Sequence, residues 1–144
     1  MAHVRTQIRD AVVAALKAVP GLTGIVSMGR IFTQQTAPAV IVYTVDEIGE
    51  LATVGRPMLT SRELTVSIDV MSKAGEGQVD AEIDDLCVLI EGALDESLVV
   101  PALSWAYAGL QMTTSKDGEK AAAVARLEWV FNYNIYEGDA AQGV

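Results

Sequence analysis

The sequence predicts a two-layer α+β domain, a mostly antiparallel sheet of four or five strands with two helices packed on one face. Three observations carry this. Two segments repeat apolar residues at three- and four-residue spacing, as helices with one buried face do. Others alternate apolar and polar residues, as half-buried strands do. The strand-like segments also follow one another through short turns, which implies antiparallel pairing.

The first helix runs over about 4–19. Val4, Ile8, Ala11, Val12, Ala15, Leu16 and Val19 share a face, Arg5, Arg9, Asp10 and Lys17 lie off it, and Pro20-Gly21 ends it. A short strand-like run, "IVSMGRIF", comes next, followed by "APAVIVYTV" at 37–45. In the latter, Ala39, Ile41, Tyr43 and Val45 form one face and Val40 and Val42 the other. Both faces are apolar, so a central strand covered on both sides over part of its length is expected. Val40 and Val42 are then apolar positions on the sheet's otherwise wet face.

Residues 46–61, "DEIGELATVGRPMLTS", break the periodicity. Sixteen residues exceed what a hairpin needs. Ile48, Leu51, Val54, Met58 and Leu59 give the segment an apolar side, so an extended arm with a surface to lie on is expected. The stretch "LTVSIDVM" then alternates without a miss, with Leu64, Val66, Ile68 and Val70 opposite Thr65, Ser67 and Asp69. Those three should form the polar face of the sheet.

A second helix is expected over about 78–95, with Val79, Ile83, Leu86, Cys87, Ile90 and Leu94 inward. Its first turn is acidic, which suits the positive end of the helix dipole. "SWAYAGLQMTT" reads as a strand whose parity slips at Ala108-Gly109, the sign of a bulge. The last strand, over about 121–136, places Ala123, Ala125, Leu127, Trp129, Phe131, Tyr133 and Ile135 on one face. The tail, 137–144, is expected to fray. No repeat or linker divides residues 1–144, so one domain is expected.

Composition excludes several functions. With 51% apolar and 20% charged residues the chain is globular, and no apolar run approaches the roughly 20 residues of a membrane span. The start lacks the basic-then-apolar order of a signal peptide, which favours synthesis and assembly in a cytoplasm. Cys87 and His3 are single residues of their kinds. They leave no internal disulfide, no cysteine-based zinc site and no preorganised nucleophile–histidine pair. A net charge of −9 with scattered basic residues argues against gripping nucleic acid.

Chemical candidates are few. Asp69 stands mid-strand without the nearby lysine partner of a metal-dependent nuclease. Asp80 and Asp84 are i,i+4 neighbours in an acidic cluster with Glu82 and Asp85, close enough to share a cation but without the turn glycine and ligand ladder of a calcium loop. Gly75 and Gly77 precede a helix, but Asp80 stands where a dinucleotide loop needs its third glycine. No catalytic constellation, metal site or cofactor site results. An exposed apolar surface and an arm point instead to a part of an assembly.

In its order of elements the chain resembles the tail terminator, or tail-completion, proteins of long-tailed bacteriophages and prophages (the minor tail protein U type). The likeness rests on "IRDAVVAALKAVPGL", "GRIF", "APAVIVYT", "RELTVSIDVMSKAG", "DAEIDDLCVLIEGAL" and "ARLEWVFNYNIY", and covers about 4–136. It implies a non-enzymatic virion protein at the neck end of the tail. Six copies would form a ring that ends tail-tube polymerisation and offers a docking surface to the head connector, while DNA passes through the lumen without specific binding. The free protein could be monomeric or hexameric, and no membrane is involved. By position, 46–61 matches the extended hairpin loop of that family, which makes Arg56, Met58 and Arg62 interface residues. Arg5 and Arg9 facing Asp80 and Asp84 of a neighbour form a second possible contact. Another ring-forming neck component, such as a head-completion or adaptor protein, and more distantly an acidic metal-dependent enzyme, remain as alternatives.

Overall fold

Each amphipathic segment forms the element its periodicity predicts. A computed structural model describes residues 2–29, 38–72, 77–117 and 120–144. Helix α1 (Val4–Lys17) is N-capped by His3, whose Nδ1 accepts a hydrogen bond from Arg5 N at 3.1 Å. It ends two residues before the expected Val19, where Thr23 Oγ1 reaches the freed carbonyls of Lys17 and Val19 at 2.8 and 3.1 Å. Gly21 then turns the chain with φ +98°, and a Cβ there would stand 3.3 Å from Leu89 Cδ1.

The remaining elements are β1 (Val26–Met28), β2 (Ala39–Leu51), β3 (Leu59–Ser72), α2 (Val79–Ala93), β4 (Ser104–Asp117) and β5 (Lys120–Tyr136). The five strands make one sheet in the order β1-β2-β3-β5-β4, parallel only between β1 and β2. Helix α1 packs on β1 and β2, and α2 on β3 and β5. The core lies between: Ile8, Val12 and Leu16 of α1 and Ile83 and Ile90 of α2 meet Val42, Leu64, Ile68, Leu127 and Phe131 of the sheet. Each such side chain contributes about 1.5–3 kcal/mol on burial. The predicted α+β class is therefore the observed one.

Three expectations change. Val40 and Val42 pair directly with Val70 and Ile68, so they lie on the helix-covered face and not on the wet one. Their strand neighbours Ile41 and Tyr43 pair with Asp69 and Ser67 and occupy the far face. Alternation within a strand fixes its two faces but not which face points to the helices.

Residues 46–61 are largely strand. β2 continues to Leu51 and β3 begins at Leu59, and Ala52 N donates to Leu59 O at 2.8 Å across the turn. The break in periodicity is a bulge. Thr44 pairs with Val66 and Asp46 with Thr65, so Val45 has no partner and the parity of β2 flips beyond it. The second bulge falls where expected, between Tyr107 and Gly109.

The tail is held rather than frayed. Glu137 N donates to Met58 O, Val4 N to Ala140 O, Gln7 Nε2 to Ala141 O and Val144 N to Asn134 O, at 2.8, 3.0, 2.8 and 2.9 Å. The expected strand continuation through Arg30, Ile31 and Phe32 and the turn over 73–76 lie outside the described residues.

Candidate functional site

The surfaces available for contact fall in three places. At the base of the β2–β3 hairpin, the parity flip at Val45 turns Glu47 towards the helix side, where three other elements converge on it. Arg5 Nη1 of α1 meets Glu47 Oε2 at 2.7 Å, Arg62 Nη1 of β3 approaches the same oxygen at 3.5 Å, and Tyr133 of β5 donates its hydroxyl to Glu47 Oε1. Tyr133 is fully buried and the Glu47 side chain only 14% exposed, so the carboxylate is held by its neighbours more than by water. His3 stands beside this cluster; burial, and then the charge of Arg5, lower its pKa. At the hairpin tip Arg56, 75% exposed, pairs with Glu137.

On the far face, Asp69 and Ser67 are buried although no helix covers that side. Two side chains from neighbouring strands lie over them. Tyr43 Oη donates to Asp69 Oδ2 at 3.0 Å, Arg126 Nε donates to Asp69 Oδ1 at 3.1 Å, and the Arg126 guanidinium sits 5.8 Å from the Tyr43 ring centroid. Burial, with the adjacent Asp69 charge, raises the Tyr43 pKa, and the hydrogen bond to Asp69 raises that of Arg126. The Ser67 hydroxyl has no hydrogen-bond partner of adequate geometry among the described residues, though it offsets part of the Tyr43 shift. This arrangement sets the Arg126 guanidinium against the Asp69 charge and engages both carboxylate oxygens of Asp69.

The third place is the α2–β4 side. The helices stop short of β4, and Tyr107, Leu110 and Met112 on its helix-facing side remain 49, 44 and 43% exposed. Val88, on α2, is 68% exposed. Trp105 stacks on Phe131, Tyr107 meets Trp129 edge-on, and Trp105 Nε1 donates to Leu94 O at 3.1 Å. A groove of about 510 Å³ opens here, with Leu103, Trp105 and Tyr107 on its floor and Glu91, Asp95 and Glu96 along its rim. Among the described residues, no strand pairs with the outer edge of β4.

Residues 10–141 match the family model described as tail completion protein gp17. The chain belongs to the tail completion protein gp17 family. It is thus a structural component of phage tail assembly. No curated protein matches the chain. No described helix is long and apolar enough to cross a membrane, and no group of three His, Cys, Asp or Glu among the described residues could hold a metal ion.

For a tail-completion protein the relevant question is which residues face a partner. Arg56 and Met58 lie at the hairpin tip, whereas Arg62 is drawn into the Glu47 cluster and braces the hairpin base. Arg5 is likewise engaged by Glu47 of its own chain. Arg9 lies half-buried on α1, and Asp80 and Asp84 are exposed on α2. Thr65, Ser67 and Asp69 share the far face as expected, but Ser67 and Asp69 are sealed under Tyr43 and Arg126 instead of facing solvent. Glu47, Tyr133 and Arg126 were not legible as functional positions, because each acts through a residue distant in sequence. The apolar row on β4 was partly legible, since Trp105 and Tyr107 stand beside a bulge visible in the sequence.

Proposed function

We propose that six copies of this chain form a ring on the head-proximal end of the tail tube, which ends tube polymerisation and presents the surface to which the head connector docks. The role is structural, with no reaction catalysed, in the neck of a virion assembled in the host cytoplasm. The observation that carries this reading is an apolar strand edge, β4, left uncovered in a chain of a tail-completion family. Such a surface is stable in water only at a cost, and contact with another subunit removes it. The formal charge supports the channel role. Six copies at −9 each bring −54, which lets like-charged DNA pass without adhering.

The test is deletion of the gene in its phage or prophage, with tail lengths measured by electron microscopy. A protein that ends polymerisation leaves overlong tubes when absent. Tails of normal length that fail to join heads would instead identify another neck component, such as a head-completion or adaptor protein, and overturn the capping role.

A further inference from the structure

The groove between α2 and β4 has a chemistry that can be matched to an occupant. Its floor is apolar and aromatic, with Leu103 63% and Tyr107 49% exposed, and its rim carries the exposed carboxylates Glu91, Asp95 and Glu96. The charge of Glu91 is felt at the Tyr107 phenol. A ligand for it must therefore present an apolar anchor beside a positive charge. An acidic protein of net charge −9 offers few such places. Among the described residues one exposed segment does: the β2–β3 hairpin tip, where Val54 is fully exposed and Arg56 is 75% exposed, between Leu51 and Met58.

Within one chain this tip engages the tail, through Arg56 with Glu137 and Met58 O with Glu137 N. An exposed ion pair of that kind contributes about 0–1 kcal/mol, so exchanging Glu137 for other carboxylates is inexpensive. The tip and the groove are different surfaces at different strands of the sheet, the tip joining β2 to β3 and the groove lying along β4 at its edge. A contact between two different surfaces is heterologous, and repeated from copy to copy it produces a ring where the rotation closes and a filament where it does not.

We propose that the hairpin tip of one copy docks in the α2–β4 groove of the next, Val54 against the Trp105–Tyr107 floor and Arg56 against Glu91 and Asp95. This rests on the ring reading for its biological setting but not for the contact itself. It also gives the acidic rim a purpose that a cation site does not, since no metal-holding group occurs among the described residues.

The test uses a tip variant, Arg56→Glu with Val54→Asp, and a groove variant, Glu91→Arg, all at exposed positions. Sedimentation velocity follows each alone, mixed, and against the wild type, with thermal melts confirming that each is folded. Self-association of either variant alone should fall by about tenfold or more. Mixing the two should give one-to-one pairs, because the tip of the groove variant and the groove of the tip variant remain intact, and these grow no further because Val54→Asp denies the other tip its apolar anchor. Arg56→Glu combined with Glu91→Arg in one chain should recover much of the association. Wild-type assembly unchanged in both variants would overturn the docking while leaving the ring reading standing. Pairs that build only open filaments, even on tail tubes, would support the docking and overturn the ring. A wild type that associates neither alone nor on tail tubes would overturn both.

Discussion

The interior strands of the sheet and its β4 edge treat their surfaces in opposite ways. On the β2–β3 side, charged groups are consumed inside the chain. Glu47 binds Arg5, Arg62 and Tyr133, and Asp69 binds Tyr43 and Arg126. On the β4 side, apolar groups are left open, with Tyr107, Leu110 and Met112 of β4 and Val88 of α2 all exposed. Polar pairs fix the geometry of the hairpin and the far face. The uncovered apolar row contributes little to the isolated fold and becomes useful when something lies on it. Internal polar pairing and open apolar surface are thus separated in space, and substitutions should separate their effects too.

The largest effect on stability is expected at the far face. Arg126→Leu leaves Asp69, which is 1% exposed, with Tyr43 as its remaining side-chain hydrogen-bond partner among the described residues, and should cost about 3 kcal/mol in urea unfolding. Replacing the pair together, Asp69→Leu with Arg126→Leu, should recover most of that, since an apolar pair leaves no unpaired charge. Glu47→Gln should cost somewhat less, about 2 kcal/mol, because the amide can still accept from Tyr133 while losing its charge against Arg5 and Arg62.

A comparable loss, on the order of 2 kcal/mol, is expected from alkaline pH. Burial, with Glu91 and Asp84 nearby, pushes the Cys87 thiol up from 9.0 to about 11. The folded form thus holds its proton where the unfolded chain has released it. The contribution is fully present below pH 9 and is lost as pH rises through about 11. Denaturation midpoints taken across that window should fall, and Cys87→Ala should flatten the fall. The smallest effects belong to the β4 side. Leu110→Lys and Val88→Lys should shift stability by less than about 0.5 kcal/mol, yet impair incorporation into tails. Loss of stability without loss of incorporation would reverse the comparison.

The elements were legible in the sequence and the division between the two surfaces was not, for physical reasons. Helices and strands were visible because each carries its periodicity in adjacent residues, as in Leu64, Val66, Ile68 and Val70. The bulge at Ala108-Gly109 was visible because a glycine accompanies the slip, whereas the one at Val45 is built from ordinary residues and looked like the start of a loop. Cross-strand placement was not legible. Arg5 and Glu47 are 42 positions apart and Tyr133 and Glu47 86 apart, and nothing local marks them as partners. For the same reason Asp69 read as a wet residue, although Tyr43 and Arg126 close over it. The tail looked disordered in composition but is anchored mainly through backbone bonds, which composition does not reveal.

The most direct measurement is residue-resolved amide hydrogen exchange of the free protein against the protein assembled on tail tubes. Protection should rise over 104–112 of β4 and over 52–58 at the hairpin tip, while amides around Glu47 and Asp69 exchange equally slowly in both states. New protection centred on the Tyr43–Asp69–Arg126 face, with β4 unchanged, would contradict the assignment of β4 as the surface that meets a partner.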